Sequence, residues 1–252
     1  MFAQRVRSMA TMHWLVLFGG ILLAWSALWV MALPGDMRAA ASVYGLEFWA
    51  ALCRVGPEGG GFAGLVAMWT LMAGGMMAPT ALPAFATYDD LSHTGQTHFG
   101  QLVAGYLAVW LGFAVVAAGL QVGLFHLGLV DAIGTSLSPI LSGTLLVAAG
   151  LYQFSPLKDA CLSRCRAPLT FFMAHWSEGA WRMGLRLGLT CLGCCAALML
   201  LAFVGGVMSL GFMALGMVVM TLEKLPQIGR WLTPPLGVGL IAAGLWTVLQ
   251  ML

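Results

Sequence analysis

Seven apolar stretches constrain this chain more than any other feature. They lie at about 13–33, 62–83, 100–125, 139–154, 185–205, 208–222 and 235–252. A helix of about 20 apolar residues crosses the hydrocarbon core of a bilayer, where only helices and closed barrels satisfy their own backbone. The fourth, sixth and seventh stretches are short and leave little room for tilt. Composition closes the soluble alternative: 61% of residues are apolar and 8% charged, against about 25% charged in a soluble domain. A net charge of +2, with no basic cluster, offers no footprint for nucleic acid. The fold expected is all-α: a polytopic transmembrane helical bundle of about seven spans, one integral membrane domain over residues 1–252. An interfacial helix is expected over about 39–54, where Val43, Leu46, Trp49, Ala50 and Cys53 share a face.

Basic residues set the orientation. With the N-terminus cytoplasmic, the inner segments hold Arg5, Arg7, Lys158, Arg164, Arg166, Arg182, Arg186, Lys224 and Arg230, and the outer ones only Arg38 and Arg54. The C-terminus is then outside. The first apolar run exceeds the roughly 7–15 residues of a signal h-region and is expected to stay as an anchor. A multi-pass membrane protein follows.

Absences narrow the function. Asp89, Asp90, Asp159, Glu178 and Glu223 all fall at or beyond the inner ends of spans, which disfavours proton pumps and ion-coupled carriers. Glu223-Lys224 reads most simply as an interfacial anchor, and Asp89-Asp90 as a helix-end charge pair. His13 and His126 lie near opposite faces, so bis-histidine haem ligation is unsupported. No His-Glu-x-x-His occurs, and no catalytic residues are assigned; the chain reads as a binding protein more readily than as an enzyme.

What the chain has is sulfur, with 17 Met and 6 Cys. Cys161 and Cys165 stand one helical turn apart, if that segment is helical. Cys191, Cys194 and Cys195 follow at i, i+3 and i+4, with Met199 continuing the stripe. Met68, Met72 and Met76 repeat every four residues before Met77-Ala78-Pro79, and prolines at 79 and 83 are expected to open the helix and free carbonyls. In the expected topology Met76, Met77 and the thiols converge near the cytoplasmic leaflet, with His93 and His98 in an adjacent inner loop. Soft thiolate and thioether ligands select Cu(I); close cysteines also suit zinc or an iron–sulfur cluster. A reducing compartment favours metal binding over disulfides. Plainer readings stand beside these. The cysteine trio among Gly188, Gly193, Ala196 and Ala197 suits a close helix contact, the Met stripe suits a core, and the two histidines suit a solvated loop.

At these residues the chain resembles the bacterial family of predicted metal-binding integral membrane proteins, an uncharacterised domain family with MMxP and CLxCC-type motifs. The matching segments are Met76-Met77-Ala78-Pro79, Leu151-Tyr152-Gln153, Pro156-Leu157-Lys158, 161–169, 191–199 and Glu223-Lys224-Leu225. Ala196 departs from the pattern, where a Trp is expected. The resemblance implies metal binding without a reaction, the bacterial inner (cytoplasmic) membrane as its location, and a second membrane or periplasmic protein subunit as partner beside the lipid bilayer.

The function expected is handling of a soft transition metal, Cu(I) foremost, in transfer, storage or delivery. The candidate ligands are Cys161, Cys165, Cys191, Cys194 and Cys195, with Met76 and Met77 as thioether partners and His93 and His98 as further participants. The alternatives are a membrane thiol redox protein cycling Cys161–Cys165, or a structural, accessory subunit of a membrane complex.

Overall fold

A computed structural model describes residues 12–32, 60–91 and 98–250. Among them every regular element is helical: α1 (Met12–Met31), α2 (Gly61–Thr80), α3 (Leu82–Asp90), α4 (Phe99–His126), α5 (Pro139–Tyr152), α6 (Pro156–Arg166), α7 (Pro168–His175), α8 (Ala180–Leu200), α9 (Ala202–Gly205), α10 (Leu210–Lys224) and α11 (Gly229–Leu249). The expected interfacial helix over 39–54, with its Cys53, lies outside the described residues, as does His93.

All seven apolar stretches contain helix, but their reach differs from expectation. Among the described residues, five helical segments are long and apolar enough to cross a membrane, and the pair α5 and α6, bent by 62°, makes up to six. Helix α10 has 15 residues, which rise only about 22 Å against a hydrocarbon core of about 30 Å. The last helix starts earlier than expected, at Gly229, and carries Pro234 and Pro235 inside it.

The chain breaks between α2 and α3 at Ala81, with Pro79 inside α2 and Pro83 in the first turn of α3. Pro79 has no N–H to give the carbonyl four residues back, and that carbonyl, Gly75 O, instead accepts the Trp25 indole N–H at 3.0 Å. The lost helical bond is thereby turned into a tether between α1 and α2. At the far end of α3, Asp89 accepts from the Trp14 indole at 2.8 Å and lies 3.2 Å from His13 Nε2, a second tether to α1. The expected Met stripe is core: Met68, Met72 and Met76 are all buried.

Helix α8 sits at the centre, packed on α4 and also against α6 and α5. Gly184, Gly188, Cys191 and Cys195 follow one another at i, i+4, i+7 and i+11, a single stripe. Its first half is a close-packed seam. A Cβ on Gly105 of α4 would lie 2.5 Å from the Trp181 carbonyl, and one on Gly184 would run into the Leu102 carbonyl. Small residues let membrane helices approach this closely. We expect Gly184→Ala to part α4 from α8 at a cost of about 1–3 kcal/mol, as overpacking does. Gly112→Ala, where a Cβ would meet nothing within 4 Å, is expected to leave stability unchanged or raise it. Melting temperatures of the two variants in detergent distinguish these outcomes.

Candidate metal centre

The second half of the α8 stripe carries the thiols. Cys191, Cys194 and Cys195 are buried, and their sulfurs all lie within 4.8 Å of one another. The Sγ atoms of Cys194 and Cys195 are 3.2 Å apart, and the Cys194 thiol lies 3.1 Å from the Cys191 carbonyl. From α6, the half-buried Cys165 brings its sulfur to 4.0 Å from that of Cys194. The segment carrying Cys161 and Cys165 is helical, yet the two thiols have different surroundings. Cys161 packs onto α8 where Gly193 leaves space, since a Cβ there would sit 2.5 Å from the Cys161 sulfur.

Three residues that the sequence reading did not select complete the site. Tyr106 of α4, fully buried, donates to the Met77 carbonyl at 2.9 Å and lies 3.1 Å from Cys191 Sγ. Lys224 Nζ donates to Thr80 Oγ1 at 2.6 Å and to Cys191 Sγ at 3.1 Å. Thr80 Oγ1 in turn donates to the Met77 carbonyl at 2.9 Å. These contacts close a ring through α2, α4, α8 and α10. Met77 therefore joins the site by its carbonyl, while the Met76 methyl points toward Gly216 of α10.

The interfacial-anchor reading of Glu223-Lys224 is corrected, because Glu223 is 1% and Lys224 8% exposed. Neighbours on a helix point about 100° apart, so the two take different partners. Glu223 forms an ion pair with Lys158 of α6 at 2.9 Å, with both side chains 1% exposed. Thr233 donates to the same carboxylate at 3.2 Å. The signal in the sequence was the scarcity of charge itself. A lysine at the end of a run in so apolar a chain has to be compensated from within, but which groups compensate it depends on helices distant in sequence.

His98 belongs elsewhere. It is exposed at the start of α4, and its backbone N–H donates to Tyr88 OH at 3.3 Å, beside the rings of Phe172 and Trp176.

A cavity of about 240 Å³ reaches the thiols, with Pro83, Tyr106, Cys165, Arg166, Cys191 and Lys224 on its walls. Chemically the centre is a soft donor set. With metal–sulfur bonds of about 2.3 Å, three sulfurs around one ion stand about 4 Å apart, within the span these thiols cover.

A family model described as PpoB2, copper chaperone, matches residues 66–247. No curated protein and no solved structure matches the chain.

The buried ion pair is testable by itself. Lys158→Met leaves Glu223 without its cation and is expected to cost about 3–5 kcal/mol. The double variant Lys158→Met/Glu223→Leu is expected to recover most of that loss, as read by thermal unfolding in detergent.

Proposed function

The chain belongs to the PpoB2 copper chaperone family, and on that premise we propose that it holds Cu(I) on Cys191, Cys194 and Cys195 for delivery within the membrane. The observation that carries this reading is the mutual approach of three buried thiol sulfurs within 4.8 Å. Such thiolates favour a soft monovalent ion over hard cations. Lys224 supports the assignment, since a cuprous ion on several thiolates leaves a negative site and a buried ammonium offsets part of it.

Cys165 serves as the relay in this reading. It lines the cavity that reaches Cys191 and faces Cys194. Copper passes by ligand exchange: a new copper–sulfur bond forms as an old one breaks, the metal stays cuprous, and the proton given up by the incoming thiol is taken up by the departing thiolate. The site then lies toward the cytoplasmic leaflet of the bacterial inner membrane, on the side where most basic residues gather. A Cys161–Cys165 redox couple has less support, because one sulfur rests on Gly193 and the other faces Cys194.

Protein purified from copper-supplemented cells is expected to carry about one Cu(I) per chain, an expectation drawn from a single three-thiolate site. Replacing Cys191, Cys194 and Cys195 together by Ser removes it, and unchanged copper in that variant overturns the proposal. Zinc in place of copper, under equal supply of both metals, overturns the choice of ion. We expect Cys165→Ser to slow copper uptake while leaving the final stoichiometry intact, and Cys161→Ser to change neither. Stopped-flow transfer from a chromophoric Cu(I) chelator reads both.

A further inference from the structure

A larger cavity, about 810 Å³, lies between the end of α5, the helix α6 and the start of α11. Its wall holds no cysteine, and the copper reading makes no use of it. Three features there point to an anion. Gln153 is 5% exposed, yet neither its amide nitrogen nor its amide oxygen has a hydrogen-bond partner among the described residues. Arg166 commits Nε to the Glu223 carbonyl at 2.9 Å, while one terminal nitrogen, Nη2, is buried without a partner among the described residues. Arg230 adds a second guanidinium to the same wall. Buried polar groups are almost always hydrogen-bonded, and paired guanidiniums suit phosphate oxygens.

We propose that this cavity binds a phosphate ester, that of a phospholipid headgroup, through Arg166, Arg230 and the Gln153 amide. Two observations favour a lipid over a soluble ester. Phe154 on the cavity wall is 52% exposed, and α11, whose first turns line the cavity, exposes Trp231, Val238 and Trp246. Acyl chains have a surface to lie on there. Asp159, a carboxylate on the same wall, matches the ammonium of a phosphoethanolamine group. Such a group is zwitterionic, so it answers both the guanidiniums and the carboxylate.

The test uses the full chain in detergent, titrated with phosphatidylethanolamine and followed by native mass spectrometry, with glycerol phosphate as the competing soluble ester. One lipid per chain is expected to survive a large excess of glycerol phosphate. Arg230→Gln and Gln153→Leu are each expected to weaken it roughly tenfold, the size of a hydrogen bond to a charged group. Copper content stays unchanged and reports that the variants fold. Gln153→Leu separates binding from mere burial, since removing an unmet amide with no ligand role leaves lipid affinity alone and raises the melting temperature. Displacement by glycerol phosphate at comparable concentration supports the phosphate site with a soluble occupant instead. Unchanged lipid affinity in both variants overturns the proposal.

Discussion

The contact of the Lys224 ammonium with the Cys191 sulfur and the Thr80 hydroxyl organises the centre of this protein. A charged amine in an apolar interior is tolerable only with groups that compensate it. Those groups come from α2 and α8, so the position of α10 is tied to both. Glu223, one residue earlier, reaches the other way to Lys158 on α6. Two adjacent charges thus fix α10 against the helices that carry the thiols and the Met77 carbonyl. In a chain with 8% charged residues, such contacts settle which helices meet far more than their number suggests.

Helix α8 shows how packing and chemistry share one stripe. Gly184 brings the backbone of α4 into direct contact. Further along the same face the side chains become cysteines, and the room they need is bounded by Tyr106 rather than by bare backbone. A close small-residue helix contact at Gly184 and Gly188 and a cluster of three thiols therefore occupy successive turns. Gly193 adds a third use of absent side chains, letting Cys161 of α6 settle against α8.

The two cavities divide the basic end of the molecule. One contains thiols and cations and leads to Cys191; the other contains guanidiniums and an amide with no sulfur. Arg166, the last residue of α6, lines both and is held by the Glu223 carbonyl.

Helical spans were legible in the sequence because hydrophobicity along a run is a local property, set by the residues of that run alone. The cysteine blocks were legible for the same reason: i, i+3 and i+4 spacing on a helix brings thiols to one side before any tertiary contact forms. Pro79 announced a freed carbonyl, though not that Trp25 would take it. The contacts that bring Tyr106, Thr80 and Lys224 together around Cys191, and the position of His98 beside Tyr88, were decided only by the fold. Those contacts join residues as far as 144 apart in the chain, and their choice depends on which glycines allow helices to touch and which buried charges must find partners. Neither condition can be read from one helix at a time.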